Sequence, residues 1–305
     1  MPPAPKLVRL AAGPLGAELC PEIGGSLVRF TAWGLDVLRP VSDADLESRE
    51  ARRMGCYVLV PFSNRLRNAC FVFEGEDFEL APNFPPEPHA IHGNGWQRAW
   101  RIEAETDTSV RLVLEHDPAR DGADAWPFAY WAALDADVTA ERLALRLSIE
   151  NRDRRRMPAG LGLHPFFPLT PTTRLEARLA GVWLNDEGKL PSRHVPVPPG
   201  LEFRSAAPLS PLSVDNCFTG WTGAASIEWP DRGLGLALEA SAALANLVVF
   251  VPQAHDYFCC EPVSNVNNGI NLTEAGVPNT GVVALAPGEV LTAEVLFRPV
   301  RLSRA

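Results

Sequence analysis

Hydrophobic residues recur at every second position along much of the chain. Val110, Leu112 and Leu114 alternate with Arg111 and Glu115, and Leu143, Leu145, Leu147 and Ile149 alternate with Arg146, Ser148 and Glu150. This period sends one side of a strand into a core and leaves the other toward water. It returns at Leu175/Ala177/Leu179, at Ala225/Ile227/Trp229 and at Leu234/Leu236/Leu238, with turn-forming clusters between. Only Ser42 to Arg53 reads as a helix: Ser42 or Asp43 offers an N-cap, and acidic residues precede basic ones, as the helix dipole favours. Strands without intervening helices cannot make parallel crossovers, so the expected fold class is all-β, a large antiparallel β-sandwich with one short helix. Prolines gather at 82–88, 165–171 and 191–211, where long loops are expected. The strand pattern resumes after each without a shift in composition, so residues 1–305 are expected to form a single domain.

Composition narrows the class of partner. The 305 residues carry 28 Lys+Arg against 37 Asp+Glu, a net charge of −9, with no basic run longer than Arg154-Arg155-Arg156. A phosphate-tracking surface needs the opposite, so no nucleic acid partner is expected. The longest apolar run, around Leu244 to Val251, contains Asn246 and is closed by Pro252, far short of the roughly 20 residues that span a bilayer. The N-terminal stretch lacks the continuous apolar core of a signal peptide. Neither a membrane partner nor export is expected, and the expected location is cytoplasmic. The cysteines, Cys20, Cys56, Cys70, Cys217, Cys259 and Cys260, include no C-x-x-C pair and read as reduced core residues.

Several chemistries lack their signatures: there is no G-x-S-x-G, no H-E-x-x-H, no Walker loop, and Gly93-Asn94-Gly95 lacks the context of a dinucleotide site. His89 and His92 are three apart in an extended segment. That spacing puts them on opposite faces and defeats a shared metal, leaving one surface histidine and one site or core histidine. His164 precedes Pro165, which places it at the end of a strand, either as a satisfied core histidine or as a catalyst. Glu261 ends the aromatic and sulfur-rich Tyr257-Phe-Cys-Cys-Glu-Pro stretch; a lone charge there needs a partner or a job. Arg65 and Arg67 share a strand face, with Glu74 or Glu76 as salt-bridge candidates. Asp215 reads by itself as the start of an Asx turn.

Taken together, five segments resemble the aldose 1-epimerase (mutarotase) family, particularly its shorter bacterial relatives. They are Pro61-Phe-Ser-Asn-Arg65, His89-Ala-Ile-His-Gly-Asn-Gly-Trp96, Gly162-Leu-His-Pro-Phe-Phe-Pro168, Asp215-Asn-Cys-Phe-Thr-Gly-Trp221 and Glu261-Pro-Val-Ser264, in the family's order. The chain departs from the family at Asn265-Val-Asn-Asn-Gly-Ile-Asn271, where relatives usually carry a histidine, and at Pro168, where galactose mutarotases carry an asparagine.

The resemblance implies a sugar cleft across one sheet, with Glu261 as base and His164 as acid. Arg65, His92 and Asp215 would contact sugar hydroxyls, joined by Asn64, while Trp96, Trp221 and Phe166 are aromatic candidates for the sugar's C–H face; for Phe166 the sandwich core is the preferred reading. The implied reaction interconverts α and β anomers of an aldose by acid–base ring opening and reclosure. It needs a monosaccharide and no cofactor, whether metal, nucleotide or redox centre. Arg65, Arg67 and Arg98 leave room for an anionic sugar, behind a neutral aldose. A noncatalytic sugar-binding module and a glycoside-cleaving enzyme are the other readings; the first would not need an acid–base pair, and the second would need two carboxylates.

Overall fold

The structure, a computed structural model, describes residues 5–204 and 207–303. The opening residues 1–4, on which the signal-peptide reading partly rests, lie outside them. Two large antiparallel sheets dominate, one of eleven strands and one of eight. Each period-two segment contains a strand, although the one begun at Arg174 stops at Ala177, before Leu179. Ser109–His116, Tyr130–Val138 and Leu143–Asn151 run side by side in the eight-stranded sheet, as do Arg174–Ala177, Ala224–Trp229 and Leu234–Ala240. Their apolar positions meet the inward side of the larger sheet in one continuous core, including Phe30, Leu112, Leu145, Phe167, Trp229, Phe258 and Phe297.

The predicted helix is shorter than its pattern: Asp43–Ser48 is helical, capped by Ser42 through a reciprocal bond with Asp45, and a separate turn follows at Ala51–Arg53. Arg49 adopts a left-handed conformation that ends the first segment. Two further short helices, Pro118–Asp121 and Gly269–Glu274, lack the length for a visible apolar period and so escaped the pattern.

The centre of the eleven-stranded sheet runs Cys56–Leu59, Gly162–Pro168, Tyr257–Val263, Asn246–Val251 and Val214–Thr219. These strands are buried on both faces, which accounts for their nearly unbroken apolar runs. One face carries Val58, Leu163, Phe167, Phe258 and Cys260 into the inter-sheet core. The other carries Tyr57, Phe166, Cys259, Val248 and Cys217 into a second apolar cluster, closed over by Ile23, Val41, Met54 and Trp96. The adjacent Cys259 and Cys260 therefore point to opposite faces, and all six cysteines are free. Cys70 is the exception to the core reading: it is exposed at the start of the short strand Cys70–Phe73.

Candidate active site

Register brings the two principal candidates together. Gly162 pairs with Val263 and Phe166 with Cys259 across neighbouring strands, and the same register places His164 opposite Glu261. His164 Nε2 lies 3.4 Å from Glu261 Oε1. Neither residue ends its strand, as the following prolines had suggested; Pro165 and Pro262 both lie inside. The pairing instead lapses between those two registered pairs, along a stretch where both prolines lack an N–H to give. His164 is 8% exposed and Glu261 2%.

Burial sets the protonation of this pair. Loss of water raises the Glu261 carboxyl well above the carboxylate range; the nearby Asp215 charge adds to this and Arg65 opposes it. Burial pushes His164 down to about 3, with a smaller push from the Arg39 cation. Although the contact has ion-pair spacing, desolvation of both groups favours a protonated carboxyl facing a neutral imidazole. His164 Nδ1 and Glu261 Oε2 are buried without a hydrogen-bond partner. The imidazole is stacked between Tyr57 and Phe166, at ring-centre distances of 4.5 and 4.6 Å. The Arg39 guanidinium covers the far side of Phe166 at 4.1 Å.

A pocket of about 330 Å³ opens over the pair, lined also by Asn64, Arg65, His92, Asp215, Glu87, Lys189 and a largely apolar wall that includes Phe250 and Tyr257. Its size is at the small end for ligand cavities. Asn64 and His92 are both left-handed, at φ 60° and 63°. Each fixes the other: the Asn64 amide donates to His92 Nδ1 at 3.0 Å, and the His92 amide donates to the Asn64 carbonyl at 3.0 Å. Burial, foremost, holds His92 well below its usual pKa, so its remaining Nε2–H is a donor. Gly93 is required behind it, because at φ +67° an added Cβ would come within 2.3 Å of the Val60 carbonyl. His89 is buried too, not on the surface, with Nδ1 accepting from the Asn68 amide.

The cations of the pocket have partners. Arg65 pairs with Glu87, not with Glu74 or Glu76, and Arg52 pairs with Glu50 at 2.6 Å. Lys189 meets Asp215 at 3.3 Å. Asp215 sits inside the strand Val214–Thr219, not in an Asx turn. Arg67 lies outside the pocket against Asp186, and Arg98 is on Asp121. The aromatic candidates separate as well. Trp221 belongs to the inter-sheet core, its indole donating to the Ala224 carbonyl. Trp96 backs Tyr57, stacked at 5.5 Å, and donates to the carbonyls of Ile91 and Gly93. Phe166, read from the sequence as sandwich core, lies on the pocket wall beside His164.

The Asn265–Asn271 segment, without evident purpose in the sequence, is a staple. The Asn265 side chain accepts from the Ser63 amide at 2.9 Å and donates to the Ser63 carbonyl at 3.0 Å. Asn268 accepts from the Arg67 amide, and its own amide donates to the Arg65 carbonyl at 2.7 Å. Asn271 bonds to both Cys70 and Val72. The segment carrying Asn64 and Arg65 is thereby fixed to the chain leaving Glu261. Gly160 completes the fit, because a Cβ there would lie 2.0 Å from Asn265 Oδ1.

Comparison with known proteins agrees with this architecture. The sequence profile of the family "Aldose 1-epimerase" matches residues 6–298. Uncharacterized protein YphB of Escherichia coli (strain K12) is 34% identical over 283 residues, covering 90% of this chain and 92% of its own. A crystal structure of a candidate aldose 1-epimerase from Escherichia coli K12 has a TM-score of 0.88 at 33% identity, covering 97% of this chain and 99% of that one. A galactose mutarotase-like protein from Clostridium acetobutylicum shares the fold with a TM-score of 0.87 at 19% identity, over 98% and 96% of the two chains. With the profile spanning nearly all of the sequence, the chain belongs to the aldose 1-epimerase family.

Proposed function

We propose that this protein interconverts the α and β anomers of a neutral aldose, with Glu261 and His164 moving the two protons. The observation that carries the reading is the facing of a buried carboxyl and a buried imidazole at 3.4 Å beneath a monosaccharide-sized pocket.

Ring opening removes the proton of the C1 hydroxyl while a proton arrives at the ring oxygen. The pair supplies both through one shared proton. In its charged form, Glu261 carboxylate takes the C1 proton and His164 imidazolium protonates the ring oxygen. What remains is the free aldehyde beside a protonated Glu261 and a neutral His164. That is the form burial favours, so desolvation works in the direction of ring opening. Rotation about C1–C2 and reversal of the two transfers close the ring on the other face. Sugar hydroxyls and the Arg65 charge, which favours the Glu261 carboxylate, help restore the charged form when the cyclic sugar binds.

His92 Nε2–H, Asn64, Arg65 and Asp215 provide donors and acceptors for hydroxyls, and Phe250 and Tyr257 offer apolar surface to the sugar's C–H face. Because Arg52, Arg65 and Lys189 each already meet a carboxylate, a neutral sugar suits the pocket better than an anionic one. A binding module would need hydroxyl contacts but not a desolvated acid–base pair. Polarimetry of freshly dissolved pure anomers tests the assignment: enzyme should accelerate the approach to equilibrium from both sides. Unchanged rates across a panel of neutral and anionic aldoses would overturn it.

A further inference from the structure

Beneath the acid–base pair lies a third group, in the buried apolar layer and outside the pocket lining, that the proposed mechanism leaves unused. Cys259 lies two residues before Glu261 on the same strand and faces the same side of the sheet. One ligand atom from each of His164, Cys259 and Glu261 lies within 4.8 Å of the others, and all three residues are buried. His164 Nδ1 and Glu261 Oε2 have no hydrogen-bond partner, so the cluster retains donor capacity that the protein itself does not satisfy.

We propose that His164, Cys259 and Glu261 form a binding site for a soft divalent cation of the zinc type, and that its occupation switches off the proposed anomer interconversion. The donor set is one imidazole nitrogen, one thiolate and one carboxylate, which selects zinc, cadmium or cobalt over magnesium or calcium. Bonds of about 2.0–2.3 Å require these atoms to draw somewhat closer, a movement within reach of side-chain rotation. Charge balances locally. Binding a dication releases the Cys259 thiol proton and the Glu261 carboxyl proton to solvent, and His164 remains neutral. The result is a complex with no net charge, which lessens the cost of placing a dication in so apolar a setting. The pocket side stays open for a water or a sugar hydroxyl as fourth ligand. Inhibition follows because the cation holds both groups that must move protons.

The inhibitory consequence rests on the function proposed above, whereas the site does not, and the experiment separates them. Cobalt(II) is titrated into protein carrying Cys70→Ser, which removes the exposed thiol. One equivalent should produce a near-ultraviolet thiolate-to-cobalt absorption and intense visible bands of a four-coordinate ion. Cys259→Ser and Cys259→Ala, checked by circular dichroism, should lose the thiolate band. They should keep the basal rate of interconversion while tolerating at least tenfold more zinc. A cobalt–thiolate band in a protein without turnover on any aldose supports the site and counts only against the function. Absence of the band in the Cys70→Ser protein, or equal zinc sensitivity in the Cys259 variants, overturns the proposal.

Discussion

Arg65 and Glu87 hold each other through two parallel hydrogen bonds, Nε to Oε2 at 2.7 Å and Nη2 to Oε1 at 2.8 Å. The arginine side chain is 11% exposed and the glutamate 25%. Burial opposes the arginine's charge, but the glutamate more than offsets it and the net shift is upward. Glu87 is held below the usual carboxylate range, chiefly by the same bonds. Lysine cannot reproduce the fork. Arg65→Lys should therefore lower kcat/KM by at least about tenfold, with Glu87→Gln producing a smaller loss of about fivefold, roughly 1 kcal/mol of binding. Steady-state kinetics on the preferred aldose would show it; an unchanged KM in both variants would place the pair outside substrate contact.

Glu261→Gln and His164→Asn should each reduce anomer interconversion by at least about a hundredfold, the lower range for losing one proton-transfer group. Near-normal turnover with an unchanged circular dichroism spectrum would remove that residue from the mechanism.

The same glutamine variant should be more stable than the parent, increasingly so toward alkaline pH. Glu261 has a folded-state pKa above its unfolded value of about 4.3. Its contribution to stability is therefore complete below that value and is lost as pH rises through the folded-state pKa. Glutamine keeps the shape and cannot ionise. Melting temperatures measured between pH 5 and 9 should diverge; parallel curves would mean that the carboxyl is not held protonated.

The pH dependence of kcat/KM should be a wide bell. The acid limb adds a proton to neutral His164, whose pKa is pushed to about 3. The alkaline limb removes the shared proton from a pair whose carboxyl is raised. Activity should thus persist well below the ordinary histidine pKa of about 6.5. An acid limb at that ordinary value would show that burial does not lower the His164 pKa.

Substrate charge can be tested with salt. Paired cations leave little uncompensated field in the pocket, so KM for neutral aldoses should hardly change with ionic strength, and matched anionic aldoses should bind no better at low salt. Tighter, salt-sensitive binding of the anionic sugars would reverse the substrate assignment. Treatment with a chelator should leave turnover intact, because both proton transfers use side chains.

Local patterning predicted the two-sheet architecture because each half-buried strand records its own burial in sequence, as Leu143 to Ile149 does. The site was legible only where chemistry stands out from its surroundings, as the carboxylate of Glu261 does on an apolar strand. Lys189 carries no such mark: it arrives beside Asp215 from a distant turn, and no local period reports that meeting. Asp215 was misread for the same reason, since Asp-Asn favours a turn until neighbouring strands impose extended geometry. The purpose of Asn265 became visible only with Ser63 and Gly160 in place, and neither histidine of the pair lies on the surface because each accepts a backbone amide, His89 from Asn68 and His92 from Asn64.

The position of the proposed acid–base pair within the central sheet has a consequence for how such a protein can diversify. Because side chains alternate by parity, a single-residue insertion or deletion within either strand would send His164 or Glu261 into the opposite layer and break up the proposed pair. The loops that bring Glu87, Lys189 and Phe84 to the rim face no such all-or-none constraint. The rim can therefore be remodelled while the buried pair is kept, so lineages of this fold should diverge first at the rim and last in the strands that hold His164 and Glu261.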